Sequence, residues 1–98
     1  MAFIQIIEYK TSRSDEVDAA LDAFLAKTAG TRTVSRGVQT RDRDNQGTYL
    51  QIVEFPSYED AMKNSELPET GEFAAQMATL CDGPPVFRNL DVLREDKS

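Results

Sequence analysis

Two segments, Phe3-Ile4-Gln5-Ile6-Ile7-Glu8-Tyr9-Lys10 and Thr48-Tyr49-Leu50-Gln51-Ile52-Val53-Glu54-Phe55, constrain the fold of this chain more than anything else in it. Both are rich in β-branched and aromatic residues and contain no Gly or Pro, which is the pattern of a strand. Alternate residues of a strand point to opposite faces of its sheet. The odd positions Phe3, Ile7, Tyr9, Tyr49, Val53 and Phe55 then share one face, and Ile4, Ile6, Leu50 and Ile52 the other. Strands that are apolar on both faces belong in the middle of a sheet that is covered on both sides.

The segments between them supply the cover for one side. Val17, Ala20, Leu21, Phe24 and Leu25 recur at helical spacing and predict an amphipathic helix about 15 residues long, entered through possible N-caps in Thr11-Ser12-Arg13-Ser14 and stopped by Ala29-Gly30. Asp15, Glu16 and Asp18 suit the positive end of its dipole. Thr31 to Arg41 reads as a polar edge strand, joined through the turn-forming Asp42-Arg43-Asp44-Asn45-Gln46-Gly47 to the strand from Thr48. The sign-alternating run Arg41-Asp42-Arg43-Asp44 is a solvated loop. Pro56 ends the third strand, and Ser57 followed by Asp60 predicts a capped short helix to about Ser65. Leu67-Pro68 and Gly71 interrupt it, and Phe73, Met77 and Leu80 carry a second helical stretch as far as Asp82-Gly83-Pro84-Pro85. Val86 to Leu93 forms the last strand, and 94–98 is a charged tail.

The order is β-α-β-β-α-β. It predicts an α+β, ferredoxin-like fold in which helices cover one face of a four-stranded antiparallel sheet, with 1–98 as one domain and an ordered core over about 2–93. The helices are expected on the even face, which carries Glu8 and Glu54 near strand ends. The odd face would then expose an apolar patch larger than soluble monomers tolerate. A second copy of the chain is the simplest cover, and Val53 is expected on that seam. Size points the same way, because a domain of 98 residues buries only about 60 to 65% of its unfolded surface and is marginal alone.

The element order, the run Tyr49-Leu50-Gln51-Ile52-Val53-Glu54-Phe55-Pro56-Ser57-Tyr58-Glu59-Asp60-Ala61 and the later Phe73-Ala74-Ala75-Gln76-Met77 resemble the dimeric α/β-barrel superfamily, particularly its antibiotic-biosynthesis-monooxygenase-like members. The resemblance spans about 2–93. It implies a homodimer whose sheets pack into a barrel, and a cavity in each subunit between sheet and helices or toward the barrel interior. It places Phe55 where many members carry a Trp, and the odd residues of the first strand along the pocket. Haem-degrading members use a helix-borne His, an Asn on the first strand and that Trp, and the corresponding places here are Met77, Ile7 and Phe55. The resemblance therefore points to quinone-forming, cofactor-independent oxygenases that rely on substrate chemistry and a few polar groups.

Composition excludes several rivals. With no His in the chain there is no Ser/His/Asp triad and no His ligand for zinc or haem iron, and a single Cys excludes an internal disulfide or a four-thiolate metal site. A net charge of −6 argues against a surface that tracks nucleic-acid phosphates. No apolar run reaches the length of a membrane span. The opening Met1 to Glu8 lacks the basic start of a secretory signal, so the expected compartment is the cytoplasm. No metal-ligand spacing and no Gly-rich phosphate cradle is present.

The candidate ligand-binding residues are Gln5, Ile7, Tyr9, Gln51, Val53, Phe55 and Met77, around a small hydrophobic or aromatic molecule, with no cofactor and no metal. Gln5 and Gln51 interrupt apolar strand faces. A buried amide needs partners, which are either each other, backbone or water, or else a ligand carbonyl or phenol. Tyr9 and Tyr49 offer phenols to an oxyanion, although tyrosines at strand ends more commonly pack with a wet hydroxyl. Arg36 and Arg88 suit a bridge across a dimer seam or a carboxylated ligand. Cys81 lacks an activating neighbour and precedes Asp82, which suits a packing role. A non-catalytic binding or interaction module explains the same residues without chemistry.

Overall fold

The computed structural model describes residues 2–97. Its elements are β1 (Phe3–Lys10), α1 (Ser14–Lys27), β2 (Arg36–Arg41), β3 (Thr48–Phe55), α2 (Tyr58–Ser65), α3 (Pro68–Leu80) and β4 (Val86–Asp91). The four strands form one antiparallel sheet in the order β2-β3-β1-β4. The two doubly apolar strands are its centre, as their composition requires, and the polar β2 is an edge.

Local chemistry explains most boundaries. Ser57 caps α2: its Oγ accepts from Asp60 N at 3.1 Å and donates to the Asp60 carboxylate at 2.9 Å, a cap that contributes about 1 kcal/mol. Gly47 takes φ +82° in the β2-β3 turn, where a Cβ would be strained. Four predicted boundaries move. Pro68 opens α3 rather than interrupting a helix, since the first helical position does not need an N–H, and Gly71 lies inside that helix. The N-terminus of α1 has Arg13 at the cap with no side-chain cap bond. Thr11 serves the turn instead, accepting from Arg13 N at 2.9 Å and donating to Leu80 O at 2.7 Å. The second strand starts at Arg36, not Thr31, because the preceding backbone is committed elsewhere. Thr31 N and Arg32 N both bond Thr28 O, and Thr33 is tied to Asp60 and Asn64 of α2. The last strand ends at Asp91, two residues short of Leu93.

The sheet's faces are the main correction. The helices pack on the odd face, so Phe3, Tyr9 and Phe55 are buried at 3%, 5% and 3% exposure. Phe3, Phe55 and Ala61 form the core cluster, with Val53 and Val34 packed against it. Val53 is thus a subunit-core residue and not a seam residue, and Glu8 and Glu54 lie on the face away from the helices. Register defines that open face. One row reads Arg36, Glu54, Ile4, Leu90; the next Val38, Ile52, Ile6, Arg88; the third Thr40, Leu50, Glu8, Val86. Sequence parity separated the two sets correctly but could not say which set the helices take, because both are apolar.

Candidate functional site

The odd face does not meet the helix layer everywhere. Between them lies a cavity of about 440 Å³. Its floor is the sheet, with Gln5 and Ile7 from β1, Gln51 and Val53 from β3, and Gln39 from β2. Its roof is α1 and α3, where Phe24 and Phe73 stack with ring centroids 4.8 Å apart. Arg32, Val34 and Ser35 before β2, Arg36 and Gly37 at its start, and Asn64 of α2 close the remainder. A Cβ on Gly37 would lie 3.5 Å from Gln51 Nε2, an ordinary van der Waals contact, so Gly37 sits directly beside that amide at the start of β2.

Of the candidate residues, Gln5, Ile7, Gln51, Val53 and Phe55 come together around this cavity. Tyr9 and Met77 do not line it. Tyr9 packs to one side, stacked on Tyr49 at 5.5 Å, with its hydroxyl accepting from Gln39 Nε2 at 3.2 Å. Gln39 also donates to Asp18 at 3.0 Å. This glutamine, on an edge strand that reads as merely polar, was not singled out by sequence; its signal is that it faces Gln51 directly across β2-β3. Gln5 and Gln51 do not bond each other. Gln5 donates to Asn89 at 3.0 Å across β1-β4, while Gln51 has no side-chain hydrogen bond among the described residues, which leaves its amide for a ligand or water.

Titration limits the chemistry of the neighbours. Burial raises the Tyr9 phenol above its ordinary value of 10.0, against the opposing hydrogen bond from Gln39, and the Asp18 charge adds to the rise. Tyr9 is therefore a neutral hydroxyl at physiological pH and not a phenolate base. The sign for stability follows. A folded-state value above the unfolded one gives stabilisation that is fully present below about pH 10 and is lost as pH rises through the folded value. Thermal melts across alkaline pH should show that loss in the native chain and a shallower one in Tyr9→Phe; identical slopes would remove Tyr9 from the account. Cys81 is also raised, by burial first and then by the charge of Asp82, so its thiol is not a ready nucleophile.

Two further polar candidates are arginines. Arg36 and Arg88 are on the open face by register, and Arg36 approaches Glu54 at 3.8 Å across the β2-β3 pair. Such an exposed pair stabilises by about 1 kcal/mol at most. Among the described residues, no three His, Cys, Asp or Glu side chains gather as metal ligands, and no helix is long and apolar enough to cross a membrane.

No family model matches the sequence, and no curated protein matches it. Solved structures do. A candidate antibiotic biosynthesis monooxygenase from Caulobacter crescentus is 17% identical with a TM-score of 0.83, over 95% of this chain and 91% of that one. A Mycobacterium tuberculosis protein is 17% identical with a TM-score of 0.81, over 99% and 100%. SnoaB, a cofactor-independent oxygenase from Streptomyces nogalater, is 13% identical with a TM-score of 0.81, over 96% and 95%. The chain has the ferredoxin-like α+β fold that these structures share.

Proposed function

We propose that this chain is a homodimeric, cofactor-independent monooxygenase that binds a small aromatic or polyketide-like molecule in the cavity between its sheet and helices. The observation that carries the reading is the cavity itself, large enough for a small polycyclic ligand, apolar in most of its lining, and entered from the sheet by the amides of Gln5, Gln39 and Gln51. The fold shared with SnoaB, named as a cofactor-independent oxygenase, supports the same class.

An anthrone-type phenol illustrates the reaction. Loss of a proton from its activated carbon gives an enolate, which reduces dioxygen. A carbon–oxygen bond forms, the oxygen–oxygen bond breaks, and one substrate plus one dioxygen yields one quinone plus one water. The substrate supplies the electrons. The protein's part is to exclude bulk water, hold the ring between the sheet and the Phe24-Phe73 pair, and donate from amides to the oxygen on which negative charge develops. Gln51 is the best placed of these donors, since its amide has no protein partner.

Oxygen uptake with anthrone-type phenols, compared with anaerobic controls, tests the enzyme reading. Gln51→Leu should lower kcat/KM by about a hundredfold, the usual effect of removing one oxyanion donor, with the melting temperature little changed. Absence of oxygen-dependent turnover over a broad panel would remove the enzyme and leave a ligand-binding or interaction module.

A further inference from the structure

Charge around the cavity is one-sided. Among the described residues its ionisable lining consists of Arg32 and Arg36, both cations, in a chain of net charge −6. Arg36 belongs by register to the open face and is engaged by Glu54. Arg32 is different. It is half-buried, enters the cavity from the connection after α1, and is fixed there by donating from Nη1 to Leu25 O at 2.8 Å. A guanidinium carries five N–H donors in a rigid fork, and among the described residues no carboxylate pairs with this one. The acid tied to the lining by a hydrogen bond, Asp18, is held by Gln39 on the Tyr9 side.

We propose that Arg32 is the anion anchor of the cavity and that the ligand is an aromatic molecule bearing a carboxylate or a comparable fixed oxyanion. This deepens the small-molecule reading above and rests on it. The ligand's apolar body lies between the sheet floor and the Phe24-Phe73 pair. Its anionic group meets Arg32 beside the C-terminal turn of α1, while Gln51 addresses a neutral oxygen from the sheet. An overall negative protein repels anions at long range, so a cavity that accepts one must supply a local cation, and Arg32 supplies it. A lysine in that place would offer a point charge without the fork that keeps one donor on Leu25 O and leaves others for the ligand.

The test uses the full chain and two probes of similar shape, 2-naphthoate and uncharged 2-naphthalenemethanol. Binding is measured by calorimetry and by the side-chain amide resonance of Gln51. The native chain should bind the carboxylate about tenfold more tightly, as one charge-assisted hydrogen bond in a half-solvated site provides. Arg32→Gln should erase that preference without changing affinity for the alcohol. If the variant folds poorly, the native chain still decides, because added salt should weaken the carboxylate and spare the alcohol. Equal affinities in the native chain, or a preference that survives Arg32→Gln, overturns the anchor. In that event Arg32 only caps α1, and alcohol binding that still moves Gln51 leaves the cavity reading intact. If neither probe moves Gln51, anchor and cavity reading fall together.

Discussion

Ile52→Asp is expected to run as a single chain of 11.0 kDa, and the native protein, if the proposed dimer forms, at twice that mass. The reason is the open face. Ile52 sits in its middle row beside Val38 and Ile6, with Leu50, Ile4 and Leu90 in the rows around it. Val86 and Leu90, on the outer strand of that face, are 48% and 41% exposed. An apolar surface this continuous is what a second copy would cover. The charged residues Arg36, Glu54, Glu8 and Arg88 belong to the same rows, so a seam here would be apolar with charges arranged about it. An aspartate at its centre would be buried without a partner, which costs about 3 to 5 kcal/mol, more than a hundredfold in dissociation constant. Light scattering at micromolar concentration reads the outcome. Val53→Asp is the informative partner, since that residue faces the helices. It should lower the melting temperature of the subunit and leave the mass of the folded fraction unchanged. The reverse pattern would put the helices' face on the seam, and two variants that both keep the native mass would move the seam to another surface.

The reversal of faces shows where sequence reasoning runs out. Element order, the two central strands, the polar edge strand and the Ser57 cap all follow from local patterns, because periodicity, turn residues and caps act over a few positions. The choice between two apolar faces is not local. It depends on which set the helices meet, and the two sets differ little in hydropathy. The aromatic residues carried a usable signal: Phe3, Tyr9 and Phe55 are all odd, and large rings fill the space between a sheet and helices, whereas the even face is aliphatic and flatter. Gln5 and Gln51 were legible as polar interruptions of apolar faces. Gln39 and Arg32 were not, because each stands in a polar segment where one more polar residue attracts no notice. Only the register opposite Gln51 and the bond to Leu25 O bring them to the cavity.

Phe3→Ala should be the most damaging single truncation in the subunit. Phe3 is 3% exposed, lies 6.4 Å from Phe55 and meets Tyr58 edge-on at 5.4 Å. It joins the start of β1 to the end of β3 and the first turn of α2. Removing a ring from such a place leaves a cavity that neighbours only partly refill, at a cost of about 3 to 5 kcal/mol. In a domain of this size each kcal/mol lowers the melting temperature by about 4 to 8 °C, so a fall of at least about 12 °C is expected. Melts must be compared at one protein concentration, because the proposed dimerisation would add concentration-dependent stability. Phe3→Leu, which keeps most of the volume, should recover more than half of the loss. A fall below about 3 °C for Phe3→Ala would mean that this cluster is not what holds the strand ends to α2. Phe3 does not line the ligand cavity. Its loss should therefore lower the temperature at which the subunit unfolds while leaving ligand affinity unchanged well below that temperature, which separates the residues that hold the sheet to its helices from those that keep the space between them.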